Sequence, residues 1–349
     1  MKCTIQNIAD HLGLSRNTVS KALKNSSEVS ENTRNLVIKT ASKLGYKNAT
    51  FATPVIPASE TDSHGTILFL TRTYASDSEF WTTVLRGIES ILSNANYHLA
   101  ISIMSDSDLK QLNFPQTISD SSIKGIILVE ICDKVVCDAL SQFNLPIVSV
   151  DMPNVPFEEL NGIDVVTMES KKNLKKIINQ LIEKGAESFG FVGDLYSPNV
   201  SRGFQERYNA LSECLAEHQL PLNQKNCLLH QTPEDFRNFQ TTVNNLQAMI
   251  SLPDVFICGN DWTAIQLIYA LQFLGFQIPK DICVVGFDNI PAASRISPSL
   301  TTISTPQKYL GIAAARQILE RIQHPNCPHV FCQYETELII RNSTNIISF

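Results

Sequence analysis

The sequence predicts an all-α head of about 48 residues followed by a larger α/β body. The first 48 residues carry apolar stripes at helical spacing and eight Lys and Arg against three acids, a net charge of +5, whereas the whole chain of 349 residues carries −6. From about residue 65, short apolar runs alternate with amphipathic stretches, as in parallel sheets covered by helices on both faces. About 285 residues are too many for one such core, so we expect two lobes.

Three helical patterns in the head have the spacing of a helix-turn-helix. Ala9, Gly13 and Val19 supply a small residue where two helices touch, a turn glycine and a branched side chain that packs between the helices. A three-helix domain of another kind would share the apolar positions, but it would not need the turn glycine, the polar start of the second helix and the positive charge together. We therefore predict that the head binds double-stranded DNA. Three residues can cap its helices: Thr4, Ser15 and Ser30.

The start of the second helix is where a helix-turn-helix reads bases in the major groove. Arg16 can bind guanine and Asn17 can bind adenine, each with two hydrogen bonds, while Lys21 can reach a base or a phosphate one turn later. Nearby hydroxyl and amide groups suit phosphate oxygens. For each of these residues the alternative is a solvated polar side chain. The predicted DNA-binding set is Thr4, Ser15, Arg16, Asn17, Thr18, Ser20, Lys21, Asn25 and Ser30.

The head resembles that of the lactose-repressor (LacI/GalR) family of bacterial transcription regulators. The marks of the resemblance are the run Thr18-Val19-Ser20, the segment 29–34 and the closing Leu44-Gly45-Tyr46, and the likeness continues to residues 337–344. It implies a body like the periplasmic binding proteins, with two lobes built on parallel sheets and a small-molecule effector between them. It also implies a homodimer on a roughly palindromic operator.

One stretch, residues 49–64, departs from the family pattern. The family has a short hinge helix here that inserts a leucine into the minor groove, whereas this chain has two prolines and several β-branched residues that oppose a helix. We interpret the stretch as a flexible linker. The alternative is an unusual minor-groove wedge formed by Phe51, Val55 or Ile56.

The predicted domains are a helix-turn-helix head (1–48), a linker (49–64) and an effector-binding and dimerisation body (65–349). By the resemblance, the chain crosses between the lobes near 161–164, 289–293 and 325–328. Each predicted lobe has two segments, about 65–162 and 292–325 in lobe 1, and about 163–291 and 326–349 in lobe 2.

Polar residues come directly after several apolar runs of the body, at the edge where α/β sheets bind ligands. Asp151, Asn260 and Asp288 occupy such positions, although aspartate and asparagine after a strand often only cap the next element. The resemblance places Arg207, Asn260 and Asp288 at effector-contacting positions. Phe236 falls where an aromatic covers the ligand, and Asp151 and Thr305 match weaker contacts. With two aromatics near the first strand, the predicted effector-binding set is Tyr74, Phe80, Asp151, Arg207, Phe236, Asn260, Asp288 and Thr305.

These residues favour a sugar or sugar derivative as the effector, since arginine and aspartate together hold vicinal hydroxyls and an aromatic ring stacks on a sugar face. We therefore predict a ligand-responsive regulator, most simply a repressor. The alternatives are a regulator of the same fold that responds to a nucleoside-type ligand or a protein co-regulator, a solute-binding protein, and an architectural DNA-binding protein with a silent pocket. The basic head and the lack of an export signal argue against a solute-binding protein.

We find no catalytic motif, such as a nucleophile elbow, a phosphate-binding glycine loop or a zinc-protease signature, and predict neither enzyme activity nor a cofactor. Nine cysteines, an odd number, without a signal peptide or a transmembrane run indicate free thiols in the cytoplasm and no membrane contact. A run near the C-terminus contains possible zinc ligands at no standard spacing, so we predict no metal there. These ligands are His324, Cys327, His329 and Cys332.

Overall fold

The computed structural model describes residues 4–23, 26, 29–43, 64–72, 78–195, 201–230 and 238–344 of the chain. The chain divides into two compact units, Met1–Asp62 and Ser63–Phe349. The predicted linker lies outside the described residues except for His64, and so do Asn25, Tyr74 and Phe236. No helix in the described part is long and apolar enough to cross a membrane.

The first unit contains the helices α1 (Ile5–Leu12), α2 (Arg16–Leu23) and α3 (Glu31–Lys43). Thr4 caps α1, because its hydroxyl accepts a hydrogen bond from the Asn7 backbone N–H at 3.3 Å while the Asn7 side chain accepts one from the Thr4 N–H at 2.9 Å. Gly13 ends α1 with a φ of +63°, the left-handed conformation that glycine adopts at low cost. The helices enclose a small apolar core that includes Ile8, Ala9, Val19, Ala22, Val29, Val37 and Ala41.

The second unit alternates strands and helices in its described part. Its strands are β1 (Gly65–Arg72), β2 (Tyr97–Met104), β3 (Ile123–Val129), β4 (Ile147–Val150), β5 (Ile163–Met168), β6 (Phe189–Asp194), β7 (Leu228–His230), β8 (Val255–Cys258), β9 (Cys283–Asp288), β10 (Thr301–Ser304), β11 (Phe331–Tyr334) and β12 (Glu337–Ile339). Its α-helices are α4 (Glu79–Leu92), α5 (Asp106–Gln111), α6 (Lys134–Ser141), α7 (Lys172–Glu183), α8 (Arg202–Glu217), α9 (Phe239–Ala248), α10 (Asp261–Phe273) and α11 (Gln307–Gln323).

These strands form two six-stranded sheets, one in each lobe. The order is β11-β5-β4-β3-β1-β2 in the first sheet and β12-β10-β9-β8-β6-β7 in the second. All pairs are parallel except β10 with β12, which is antiparallel. The central strands are buried along almost their whole length because helices cover both faces of each sheet, which explains their continuous apolar sequences.

Lobe 1 is held together by the close packing of α4 and α11 on one face of its sheet. Gly87 and Gly311 lie at this contact, where a Cβ on Gly87 would meet the Lys308 carbonyl and one on Gly311 would meet the Val84 carbonyl. The apolar side of α4, with Val84 and Ile88 fully buried, joins residues of α11 in one core cluster. Helix α11 therefore belongs to lobe 1 although the strand before it, β10, belongs to lobe 2.

The strand pairing fixes where the chain crosses between the lobes. β5 and β11 pair in the first sheet, whereas β10 and β12 pair in the second, so the crossings come after β5, β10 and β11. The predicted crossings near 161–164, 289–293 and 325–328 were wrong, each by one strand. Buried parallel strands are apolar whichever sheet they join, so their sequences do not identify the sheet. Of the described residues, lobe 1 comprises 64–72, 78–168 and 307–334, and lobe 2 comprises 169–195, 201–230, 238–304 and 337–344.

Candidate functional site

A cleft lies between the two lobes, at the carboxyl ends of the parallel strands, and encloses about 690 Å³ including its open mouth. Its described lining from lobe 1 is Arg72, Ser78, Phe80, Trp81, Glu130, Cys132, Asp151 and Met168, and from lobe 2 it is Asp194, Ser201, Phe204, Arg207, Asn260 and Asp288. The cleft therefore brings together five residues of the predicted effector-binding set: Phe80, Asp151, Arg207, Asn260 and Asp288.

Arg207 is the buried cation on the lobe 2 side of the cleft. Helix α8 carries it, and only 3% of the residue is exposed. Its guanidinium lies over the ring of Phe287, 3.6 Å from the centroid, and its Nη1 donates to the Gly259 carbonyl at 2.6 Å. Burial lowers the pKa of Arg207, while the nearby charges of Asp288 and Asp151 oppose this shift. Its Nε is buried and has no hydrogen-bond partner among the described residues, so this donor is unsatisfied there.

Asp288 ends β9 in the left-handed region, with a φ of +112°. Its carbonyl oxygen accepts hydrogen bonds from the Thr305 hydroxyl at 3.2 Å and from the Gln307 side-chain amide at 2.6 Å, which hold this backbone in place. Burial raises the pKa of Asp288 well above its ordinary value, and the positive charge of Arg207 acts against the rise. Thr305 itself does not line the cleft, so its contact with Asp288 is a positioning one.

Two further carboxyl groups enter the cleft from lobe 1. Asp151 and Glu130 come directly after β4 and β3, with φ of +76° and +55°. Backbone strain at residues other than glycine concentrates at ligand sites, and here three acidic residues of one cleft share it. Burial raises the pKa of Asp151, and it raises the pKa of Glu130 to about 7. A carboxyl with a raised pKa keeps its proton to higher pH and can then donate as well as accept a hydrogen bond, and Glu130 titrates near neutral pH.

Asn260 is both a helix cap and a cleft residue. Its Oδ1 accepts a hydrogen bond from the Thr263 backbone N–H at 2.9 Å at the start of α10, so the capping interpretation holds for this atom. Asn260 also lines the cleft. The neighbouring Asp261 is fully buried and accepts hydrogen bonds from the Ile290 N–H at 2.9 Å and the Thr302 hydroxyl at 2.6 Å. Asp261 thus fixes α10 against the strands beside it.

Aromatic side chains form the apolar part of the cleft wall. Phe80 and Trp81, in the first turn of α4, pack edge to face with their ring centroids 4.6 Å apart. Phe204 covers the backbone of Gly259, where a Cβ would collide with its ring. Tyr74 and Phe236, the other predicted aromatics, lie outside the described residues. Aromatic faces beside fixed donors and acceptors suit a ring-shaped polar ligand.

In the head, the predicted base-reading residues stand at an exposed helix start. Arg16 and Asn17 are exposed in the first turn of α2, and Lys21 lies one turn later, partly exposed. The Ser15 hydroxyl accepts a hydrogen bond from the Thr18 N–H at 3.0 Å, and the Ser30 hydroxyl accepts one from the Thr33 N–H at 3.3 Å. These serines therefore cap α2 and α3, as expected from the sequence.

Two family models match this chain, one in each of its two units. The model of the bacterial regulatory proteins of the lacI family matches residues 4–48, and the model of the periplasmic binding protein-like domain matches residues 178–344. The chain belongs to the LacI family of bacterial regulatory proteins. The predicted fold, a helix-turn-helix head with a two-lobed α/β body, is confirmed.

Relatives of this LacI-family regulator match it from end to end. The HTH-type transcriptional repressor PurR of Photobacterium profundum is 26% identical over 345 residues, which cover 97% of this chain and 98% of the relative. The ribose operon repressor of Haemophilus influenzae is 27% identical over 344 residues, with the same coverage of 97% and 98%.

Solved structures of the same fold include regulators bound to small molecules. The lac repressor dimer bound to operator and the anti-inducer ONPF is similar with a TM-score of 0.67 and 19% identity, covering 99% of each chain. The complex of the transcriptional regulator CelR with cellobiose has a TM-score of 0.68 and 18% identity, covering 98% of this chain and 100% of the other. At these identities the likeness concerns the fold.

Several cleft residues of this LacI-family regulator were not predicted from the sequence. Arg72, Glu130 and Asp194 lie at or just after the ends of β1, β3 and β6, so the rule that identified Asp151 and Asp288 also applies to them. Their position after an apolar run is the signal that could have identified them. Trp81, in the first turn of α4, also lines the cleft and was not among the predicted residues.

The possible zinc ligands near the C-terminus have other partners. His329 lies 3.3 Å from the Asp164 carboxylate, and His324 lies 2.9 Å from the Glu320 carboxylate. Cys327 is exposed on the connection before β11, and Cys332 hydrogen-bonds with Tyr334. Across the described residues, no group of three or more His, Cys, Asp or Glu is arranged to hold a metal ion.

Proposed function

We propose that this LacI-family regulator is a cytoplasmic repressor that binds a palindromic operator as a homodimer and responds to a sugar or sugar derivative bound between its lobes. The observation that carries the proposal is the buried Arg207. Its Nε is a donor without a partner among the described residues, and it shares the cleft with the Asp288 carboxyl and the Asn260 amide. Leaving a buried donor unsatisfied costs about 1–3 kcal/mol, which a ligand hydroxyl would offset.

The two kinds of hydrogen-bonding group in the cleft match vicinal hydroxyls. A hydroxyl both donates and accepts, so it can bind Arg207 as donor and Asp288 as acceptor at the same time. The aromatic pair Phe80 and Trp81 offers an apolar face for the C–H side of a sugar ring. Solved relatives of the fold support the proposal, since one carries cellobiose and another, a LacI-family regulator from Enterococcus faecium, carries ribose.

The response to the effector would arise from the two-lobed architecture. Three chain crossings join the lobes, and the effector would contact both lobes at once, so it would bind a closed arrangement more tightly than an open one. A ligand shifts such an equilibrium only by its difference in affinity for the two states. The closed and open states would differ in their affinity for the operator.

Homodimer formation is supported by exposed apolar side chains on the body. Trp262, Tyr269 and Phe273 lie along one face of α10 at helical spacing, and 69% of Phe273 is exposed. Helix α10 has apolar residues on nearly every face, which is unusual for a helix at a free surface. A second copy of the chain would cover these rings and would present a second head to the other half of a palindromic operator.

The proposed effector class is tested by a thermal-shift screen of the full chain against sugars, sugar derivatives and nucleosides. We expect a sugar to raise the melting temperature, with a stabilisation of about 2.7 kcal/mol at a hundredfold excess over Kd. The shift should disappear in Arg207→Ala and persist in Arg86→Ala, which removes an exposed arginine from α4.

Each other outcome of this screen contradicts part of the proposal. An increase in melting temperature with nucleosides alone would indicate that a nucleobase packs on the aromatic wall. It would overturn the proposal of a sugar effector. A sugar shift that survives Arg207→Ala would move the site out of this cleft. No shift with any compound would favour a protein co-regulator, and the next experiment would be partner capture.

A further inference from the structure

Among the residues that the structure describes, more acidic than basic side chains line the interlobe cleft. Its two guanidinium groups belong to Arg72 and Arg207, and Arg72 is already bound to the Asp106 carboxylate at 2.6 Å. Opposite charges at such a distance largely cancel each other's field inside the cleft. Four carboxyl groups line the same space: Glu130, Asp151, Asp194 and Asp288.

Glu130 is a carboxyl group of the cleft with one oxygen that lacks a hydrogen-bond partner. Its Oε2 is buried and has no hydrogen-bond partner among the residues that the structure describes, while Trp81 hydrogen-bonds to its carboxyl group. Burial is the largest cause that raises the pKa of Glu130 to about 7. The hydrogen bond with Trp81 and the charge of Arg72 act against the rise, and the charges of Asp151 and Asp194 add to it. A positive group beside Oε2 would satisfy the atom and would favour the ionised carboxylate.

The surroundings of Glu130 are those that recognise an ammonium group. Ammonium ions donate three hydrogen bonds to carboxylates and are attracted to the faces of aromatic rings. Here the rings of Phe80 and Trp81 line the cleft together with Glu130 and Asp151. Arg207, Asn260 and Asp288 lie on the other lobe and supply the mixed donors and acceptors that suit hydroxyls.

We propose that the effector is a polyhydroxylated molecule that carries an amine, of the amino-sugar class, and that its ammonium group binds Glu130 on lobe 1 while its hydroxyls bind lobe 2. The inference rests on the proposed function and narrows its ligand. A phosphate or carboxylate on the ligand would place negative charge beside carboxyl groups whose ionised forms burial already disfavours. A neutral sugar would leave Glu130 Oε2 without a cationic partner, so it would bind more weakly than the amino sugar of the same configuration.

The test compares matched ligands by isothermal titration calorimetry on the full chain. For the gluco, galacto and manno configurations, the probes are the hexose, the 2-amino-2-deoxyhexose, its N-acetyl derivative and the hexose 6-phosphate. In one configuration, we expect the amino sugar to bind at least about tenfold more tightly than the hexose, because a hydrogen bond to a charged group contributes that much or more. The N-acetyl derivative should lose this advantage because its nitrogen carries no charge, and the 6-phosphate should bind most weakly.

Two variants locate the effect. Glu130→Gln keeps the shape of the side chain but removes its charge, so the ratio of amino-sugar affinity to hexose affinity should fall to within about threefold. Glu89→Gln removes an exposed carboxylate from α4 and should leave the preference intact. The comparison of ligands on the unaltered chain tests the amine independently of how well either variant folds.

The outcomes separate this inference from the function on which it rests. If a hexose or its phosphate binds as tightly as the amino sugar, the inference that the effector carries an amine is overturned. The proposal of a sugar-responsive repressor is then unaffected. An amine preference that survives Glu130→Gln overturns Glu130 as its site. If no probe binds, the amino-sugar class fails, and the broader thermal-shift screen then decides whether the sugar proposal fails with it.

Discussion

Single side chains at the exposed start of α2 are expected to set the DNA sequence that the head reads. We expect Asn17→Ala to cost about 1–3 kcal/mol of operator affinity and to relax the preference at one base position in each half-site. Lys21→Ala, by contrast, should weaken binding to all sequences and make it less sensitive to salt if Lys21 binds a phosphate. Fluorescence anisotropy on an operator selected from random duplexes, with single-base variants, measures both. A uniform loss in Asn17→Ala would show that Asn17 binds the backbone instead.

Asp288 is the residue whose carboxyl group we expect the effector to require. Asp288→Asn preserves the size of the side chain and tolerates the positive φ of 112° at this position, so the fold should be retained. We expect effector affinity to fall at least about tenfold, because the amide replaces one carboxyl oxygen by a nitrogen that cannot accept a hydrogen bond from the ligand. Operator affinity without effector should stay the same. Asp138→Asn, which breaks an exposed i,i+4 ion pair in α6, is the matched control, and an equal response in both variants would remove Asp288 from the site.

The sequence predicted part of the cleft at residue level because one geometric rule governs it. Asp151 and Asp288 lie at the ends of apolar strands, and carboxyl ends of parallel strands meet at one edge. The same rule would have found Glu130 and Arg72, but sequence alone does not show which of many polar residues after strands enter a shared cavity. The sequence also does not distinguish a residue such as Thr305, whose hydroxyl donates to the Asp288 carbonyl, from one that contacts the ligand.

At the level of elements, a buried ion pair joins α11 to β5. Arg321 donates from Nη2 to Asp164 Oδ1 at 2.8 Å and from Nε to Oδ2 at 2.9 Å, and Asp164 is fully buried. Burial alone would raise the pKa of Asp164, but hydrogen bonds from Arg321, Val330 and Gln317 hold it below its ordinary value. A carboxyl with a lowered pKa in the folded state stabilises the fold above its unfolded pKa. That contribution is lost as the pH falls through the folded pKa.

We expect Arg321→Ala to lower the free energy of unfolding by about 3–5 kcal/mol at pH 7, because it leaves the Asp164 charge buried without its partner. The loss should shrink as the pH falls below about 4, where the carboxyl of the variant is protonated. Urea unfolding followed by tryptophan fluorescence at both pH values measures this. Arg316→Ala, an exposed position on the same helix, should change little. A loss that is equal at the two pH values would contradict the role of the Asp164 charge.

The elements themselves were largely predictable, whereas their assignment to lobes was not. A continuous apolar run identifies β3 and a period-3.6 pattern identifies α7, because each pattern reflects burial that does not depend on which element is the neighbour. Which sheet β5 joins depends on contacts with β11, about 165 residues later, as in the pair Val165 and Phe331. Periodicity is a local property, so it cannot report such a distant partner.

At the scale of the whole molecule, the exposed rings of α10 give a test of the proposed dimer. We expect Phe273→Glu to shift the protein from dimer to monomer, because the substitution puts a charge into an apolar contact. Ile250→Glu is the matched control, because Ile250 is 95% exposed on the same lobe but lies after α9 and not on α10. Sedimentation velocity across a concentration series measures the mass. A dimer that persists in Phe273→Glu would place the contact elsewhere on the body.

The three crossings between the lobes also constrain how the protein is made. The sheet of lobe 1 begins with β1, yet its edge strand β11 and its covering helix α11 are supplied only by residues 307–334. On the ribosome, therefore, the head can complete its helices early, whereas lobe 1 waits with an uncovered apolar face until nearly the whole chain has emerged. A nascent chain stalled before residue 307 exposes the faces of Val84 and Ile88 that α11 would cover, and such a surface is one that chaperones bind.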